Sequence, residues 1–304
     1  MTTSPSSSLI DECYNSLASG DLSPLDDFVV HLESIRRELS VEEWSAYIAD
    51  VIAPHPLRTL LHEEPFTRRA YEKPRGYAGD APMLDLVYSD NRPAELSELG
   101  KKLYEWALPK PGAESVRARR EILAGIIDRV AAERPSARIL SVACGHLREA
   151  QRSAAVRERE VGEIVALDQD RESLSLVARE QSHHRVTPVH ANIRRLLAGG
   201  TAYGTFDLAY AAGLYDYLDE SVAQALTLSM FRALRPGGLL VVANFAPDLP
   251  VIGYMEAVMD WILRYRVEPE VERFAARVPR EEIAELRTFR DEPGNVVYLS
   301  VRRA

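Results

Sequence analysis

From Ala137 onward a series of short apolar runs punctuates the chain: "ARILSVAC", "GEIVALD", "RVTPVHAN", "FDLAYAAG" and "GGLLVVANF". Helical stretches separate most of them. Strands that alternate with helices imply a mainly parallel sheet covered on both faces. Close to the end the texture changes. "AELRTFR" and "VVYLSVRR" alternate apolar and polar positions around a Pro-Gly-Asn turn, the pattern of an antiparallel hairpin. With 46% hydrophobic residues among 304, such a sheet can bury a full core.

The leader reads differently. Residues 1–8 are polar and Ser-rich, and a disordered tail is expected there. Residues 9–112 show helical spacing, and 113–304 hold the strand–helix domain. "SVEEW" places Ser40 three residues before Glu43, the order of a capping box. Pro54 and Pro56 end the helix that follows. In "GDAPMLDLVY" Asp80 stands as an N-cap, with Pro82 in the first turn. Further helices are expected over 93–107 and 113–133, divided by "LPKPG".

Composition excludes some classes. No apolar run reaches about 18 residues, so no transmembrane helix is expected. The start lacks the charged-then-apolar order of a signal peptide, and Cys13 and Cys144 make no disulfide framework. A cytoplasmic protein without a membrane partner is expected. A net charge of −9 argues against a nucleic-acid partner, which would call for a basic face. His183, His184 and His190 lack the spacing of a metal site, and no metal is expected.

Ligands of an open α/β sheet bind beyond the carboxyl ends of its strands. Behind the first run, Ala143 and Gly145 form a turn of little bulk. Behind the second stands Asp168, a carboxylate suited to ribose hydroxyls, followed by Gln169. Asn192 and Ile193 follow the third and face an adenine edge. Gly213 follows the fourth, ahead of Tyr215 and Asp216. The dinucleotide pattern G-x-G-x-x-G fails here: counted from Gly145, Leu147 holds the second glycine's place and Ala150 the third's. A pyrophosphate would find no seat, and Glu149 would repel it. S-adenosylmethionine has no phosphate and carries an α-ammonium group, which a carboxylate suits.

An open sheet ended by a hairpin resembles the class I S-adenosylmethionine-dependent methyltransferase fold: Rossmann-like, seven-stranded, with a C-terminal antiparallel hairpin. Against that pattern Ser141 occupies the place of the usual acid at the end of the first strand. Glu149 is the candidate ammonium partner. "ILSVACGHLRE", "YEKPRGYAGDAPMLDLVY", "YAAGLYDYL", "ALRPGGLLVVANF" and "YMEAVMDWILRYR" together resemble the extracellular-factor 3-hydroxypalmitic acid methyl ester biosynthesis family. The resemblance implies methylation of a small-molecule carboxylate, with S-adenosylhomocysteine as by-product. Such a core leaves its cofactor cleft open, and the helical leader, folding over it as a lid, would exclude water and align the acceptor.

In that reading "KPRGYAGD" touches the ligands. Gly76 and Gly79 allow close approach. Tyr77 covers the sulfonium or adenine, Asp80 binds a cation or caps its helix, and Arg75 holds an acceptor carboxylate. Tyr254, Trp261, Tyr265 and Arg266 line the acceptor pocket. Their spacing also fits an amphipathic helix packed on the core. Tyr215 or Asp216 would assist deprotonation if the acceptor were an amine. N-methylation of an amino acid or secondary metabolite is thus the first alternative. A non-catalytic cofactor-binding sensor is the second, and a dehydrogenase the most remote.

Overall fold

The computed structural model describes residues 5–88, 93, 95–198 and 203–304. The rest of the expected tail, residues 1–4, lies outside them. The chain divides into two compact units. One comprises residues 1–116 and 248–262, the other 117–247 and 263–304. Among the described residues, no helix is long and apolar enough to cross a membrane.

The first unit is helical. Its opening helix, Pro5–Ala18, starts inside the stretch read as a tail, with proline in the first turn, where its missing N–H costs nothing. Helix Leu25–Glu38 follows. The Ser40 box forms as its spacing requires: Ser40 Oγ accepts from the Glu43 amide at 3.2 Å, and Glu43 Oε2 accepts from the Ser40 amide at 2.9 Å. Helix Val41–Tyr47 then runs into a π-turn over Ile48–Ile52. Helices Leu57–Leu61, Pro65–Glu72, Ala81–Tyr88 and Glu98–Ala107 complete the leader. The last starts at Glu98, five residues later than the spacing suggested, because Ser97 Oγ caps the Gly100 amide at 2.8 Å.

A segment distant in sequence completes this unit. Helix Ile252–Ala257 packs on Leu25–Glu38 through Gly253, where any Cβ would stand 2.7 Å from the Leu32 carbonyl carbon. The Gly253 amide donates to Glu33 Oε2 at 2.9 Å. Arg36 grips Glu256 with two hydrogen bonds of 2.7 and 3.1 Å, and Trp44 Nε1 donates to the same carboxylate at 2.8 Å. Glu256 is 9% exposed, so its charge depends on these partners. The amphipathic helix read across 254–266 is not formed. The helix ends at Ala257, the Trp261 amide turns back to Met255 O at 2.8 Å, and Asp260 takes a left-handed φ of 48°. Left-handed backbone terminates a helix, and the aromatic spacing beyond it serves irregular chain.

The second unit holds the sheet. Its strands are β1 Arg138–Val142, β2 Glu163–Asp168, β3 Val186–His190, β4 Phe206–Ala211, β5 Leu234–Phe245, β6 Ile283–Arg290 and β7 Val296–Arg303. Their order is β3-β2-β1-β4-β5-β7-β6, with parallel pairing up to β5 and antiparallel pairing of β7 with β5 and β6. This is the seven-stranded sheet with a terminal hairpin that the sequence implied. β1, β4 and β5 are buried almost throughout, which is why they read as continuous apolar runs. Leu140, Val142, Leu167, Ala209, Leu240 and Phe231 lie in one apolar core. The strand order reverses between β1 and β4, which makes the crevice above their carboxyl ends the place for a ligand.

Candidate active site

Backbone conformation singles out the turn after β1. Ala143, Gly145 and Leu147 adopt left-handed φ values of 53°, 53° and 52°. For residues with a Cβ this costs about 1–2 kcal/mol each, and such strain gathers at ligand sites. Packing holds the turn in place: Leu147 is 1% exposed, and the Cys144 amide donates to Leu167 O of β2 at 3.1 Å.

Asp168, the last residue of β2, faces this turn. Its Oδ2 accepts from the Gly145 amide at 2.8 Å and its Oδ1 from the Asp170 amide at 2.9 Å. Burial pushes its carboxyl up, and the amide hydrogen bonds oppose the shift. Gln169 is exposed directly after it, and its carbonyl accepts from His190 Nε2 at 3.1 Å. Asn192 is exposed beyond β3, and Ile193 opens the short helix Ile193–Ala198 while packing on the core. The sheet therefore brings the candidates at 143, 145, 168 and 169 to adjoining strand ends, with 192 and 193 one strand further out.

Glu149 lies in helix Arg148–Arg152 behind the turn and is 7% exposed. The Tyr210 hydroxyl of β4 donates to its Oε1 at 2.6 Å. Tyr210 is the register partner of Ser141 in the parallel pair β1–β4, and the Ser141 hydroxyl also bonds to it. Ser141, at the end of β1, is thus linked through Tyr210 to Glu149. Burial raises the Glu149 carboxyl, while the Tyr210 bond and the charges of Arg119 and Arg120 pull it down.

Behind β4, Gly213 leads into a short turn of helix at Tyr215–Tyr217. Tyr215 is fully buried. Its hydroxyl lies 2.9 Å from Thr227 Oγ1, its ring packs on Phe274, and burial raises its pKa. Asp216 is 2% exposed. Its Oδ1 accepts from the Phe245 amide at 2.7 Å, and its backbone carbonyl accepts from the Arg264 amide at 2.8 Å. Burial pushes its carboxyl up to about 7, against the pull of Arg119 and Arg266. Arg266 is buried and donates to Asn244 Oδ1 at 2.7 Å, to Tyr215 O at 3.0 Å and to Leu218 O. Its guanidinium thereby fastens chain segments together beneath β4 and β5. Tyr265 is half-buried beside it.

The other candidates belong to the first unit. Arg75 and Tyr77 are half-buried in a turn that the Gly76 amide closes on Lys73 O at 2.8 Å. Gly76 has a φ of 86° there, which explains the glycine. Asp80 is wholly buried. Arg69 holds both of its oxygens, at 2.8 and 2.6 Å, and Oδ1 also caps the Met83 amide at 2.9 Å. Tyr254 and Trp261 line an apolar pocket with Phe66, Trp106, Met255 and Met259.

Sequence reasoning missed Arg119, in the long helix Pro111–Glu133. In "VRARREI" it looks like part of a solvated charged face, yet it is 5% exposed and Nη1 donates to Ala212 O at 2.9 Å. Tyr210 was missed because a tyrosine inside a buried strand reads as core.

The donor set suits S-adenosylmethionine: a bulk-free turn, a buried carboxylate at β2, and a carboxylate and a guanidinium beside β4. Residues 139–238 match the family model described as a methyltransferase domain. A search of curated proteins returns no match. Among solved structures, the chain is similar to a possible exported protein from Bordetella parapertussis, with 19% identity, a TM-score of 0.59, and coverage of 73% of this chain and 79% of that one. It is also similar to the N-methyltransferase NodS from Bradyrhizobium japonicum WM9 in complex with S-adenosylhomocysteine: 14% identity, TM-score 0.47, 73% and 97% coverage. Magnesium protoporphyrin IX methyltransferase from Synechocystis PCC 6803 gives 11% identity, TM-score 0.48, and 74% and 95% coverage. The matched residues lie within the second unit and build strands β1, β2, β3 and β4 with the start of β5, part of the mainly parallel, seven-stranded Rossmann-like sheet that the sequence implied.

Proposed function

We propose that the chain methylates a carboxylate oxygen of a small molecule with an apolar body, giving a methyl ester. One observation carries this reading: Tyr215 and Asp216, the two acid–base candidates, are both engaged in the fold, through Thr227 and the Phe245 amide. An acceptor that arrives ionised needs neither, and a carboxylate is ionised at pH 7. When bound, S-adenosylmethionine supplies an electrophilic methyl group. The chain's own residues supply positioning and exclusion of water, the main contributors to such a displacement. We assign the ribose to Asp168, the adenine edge to Asn192 and Ile193, and the ammonium group to Glu149.

The apolar pocket of the first unit supports the acceptor's apolar body. It is a narrow pocket, with about 60 Å³ of free space. Aliphatic, aromatic and thioether side chains make up most of its lining, the apolar character common to small-molecule sites. Arg75 is our candidate for the acceptor carboxylate, and Tyr77 for shielding the sulfonium from water.

N-methylation is the second reading, favoured by Asp216 being pushed up to about 7, a value suited to a general base at neutral pH. Methyl-labelled cofactor and a panel of carboxylic acids and amines separate the two. An ester releases its label as methanol in mild alkali, whereas an N-methyl product keeps it. Cofactor bound but never converted to S-adenosylhomocysteine across the panel would leave a sensor.

A further inference from the structure

Two residues of the first unit stand in left-handed backbone although each carries a side chain: Lys73 and Asp260, both with a φ of 48°. Each lies just past a helix, Pro65–Glu72 and Ile252–Ala257, where glycine or asparagine is the usual left-handed residue. Their side chains meet, and Lys73 Nζ donates to Asp260 Oδ2. The pair is open to solvent, with 31% of the lysine side chain and 51% of the aspartate side chain exposed. An exposed ion pair returns less than two strained residues cost. Stability therefore does not account for the arrangement, and backbone strain of this kind gathers where ligands bind.

The segments that the pair joins give it a role. Lys73 opens the turn of Arg75 and Tyr77, and its carbonyl closes that turn by accepting from the Gly76 amide at 2.8 Å. Asp260 stands between Met259 and Trp261, which both line the apolar pocket. The pocket wall is pinned without it: Val258 O accepts from His62 Nε2 at 2.9 Å, and the Trp261 amide donates to Met255 O at 2.8 Å. The ion pair adds a fixed spacing between that wall and the turn. We infer that Lys73 and Asp260 are a positioning pair that sets the reach from a carboxylate held at Arg75 to an apolar body held in the pocket, and so selects acceptors by length. Neither residue touches the acceptor. The inference rests on the acceptor reading of Arg75 and of the pocket under the proposed function.

Titrations of the full chain test it, followed by tryptophan fluorescence, since Trp106 and Trp261 line the pocket. The probes are butanoate, hexanoate and octanoate, which suit a narrow pocket, and hexan-1-ol, which has no carboxylate for Arg75. The wild type is expected to prefer one carboxylate. Lys73→Gly and Asp260→Gly are expected to bind that carboxylate roughly fivefold more weakly, the upper end for an exposed ion pair, and to flatten the preference. Hexan-1-ol should stay within about twofold, inside ordinary surface-mutation scatter. The apo melting temperature should hold or rise, because glycine relieves the left-handed strain. Exchanging the charges, Lys73→Asp with Asp260→Lys, should restore affinity and preference. Unchanged carboxylate binding in the glycine variants, an equal loss for hexan-1-ol, a fall in apo melting temperature, or no recovery on exchange would overturn the pair's role. So would a wild type that binds the carboxylates without preference. If a glycine variant does not fold, Asp260→Asn, which tolerates left-handed backbone, decides by the same ratio. A wild type that binds none of the probes removes the acceptor reading of the pocket, and the pair's role with it.

Discussion

The Gly145 amide donates to Asp168 Oδ2 at 2.8 Å across 23 residues of chain, tying the turn after β1 to the end of β2. The same carboxylate shapes the turn through two backbone amides and is the proposed ribose partner. Asp168→Ala is expected to weaken S-adenosylhomocysteine by roughly tenfold or more and to lower stability by about 1–3 kcal/mol, since buried amides lose their acceptor. Calorimetry and urea unfolding measure the two effects. Unchanged affinity in a folded variant would remove Asp168 from the site.

Asp80 is expected to act through the fold. Its carboxylate is wholly buried, chelated by Arg69, and caps the Met83 amide. Asp80→Ala removes both of these hydrogen bonds and the cap, at a cost on the order of 3 kcal/mol. Chemical denaturation without ligand reads this directly. Full apo stability together with lost cofactor affinity would return Asp80 to the ligand site.

Glu64 gives stability a pH dependence. It is 1% exposed and caps the Phe66 and Thr67 amides at 3.1 and 2.6 Å. Burial nevertheless raises its carboxyl from the ordinary 4.5 to about 7, against those amides and Arg68. The native state then holds a proton that the unfolded chain releases. The contribution is full below about pH 4.5 and is lost as pH rises to about 7. Glu64→Gln, which cannot ionise, should flatten the fall in wild-type melting temperature between pH 5 and pH 8. Parallel curves for the two proteins would refute the assignment.

The turn at 73–80 makes a claim on turnover. If Tyr77 shields the sulfonium, Tyr77→Ala loses a contact of about 0.5–2 kcal/mol, and turnover should fall several-fold. The apo melting temperature should hold, because the ring is only half-buried. Arg75→Ala should raise KM for a carboxylate acceptor. Full activity in both variants would leave this segment a surface turn.

Periodicity and punctuation carry local information, and the sequence by itself determined what depends on them: the strands, the terminal hairpin, the Ser40 capping box and the glycine turn after β1. Strand-end position then singled out Gly145, Asp168 and Asn192, because in a parallel sheet the end of a strand is also the rim of the crevice. Only the tertiary structure decided which way a charge faces. Asp80 and Arg266 look like ligands in sequence and are engaged by Arg69 and by Asn244 with backbone carbonyls. Arg119 looks solvated and is buried beside Gly213. Nor did helical spacing over 254–266 reveal that helix Ile252–Ala257 belongs with the leader, because the contacts of Gly253 with Glu33 and of Glu256 with Arg36 each span 220 residues. A polar side chain's role depends on the partners that folding delivers, and those come from segments that no local pattern connects.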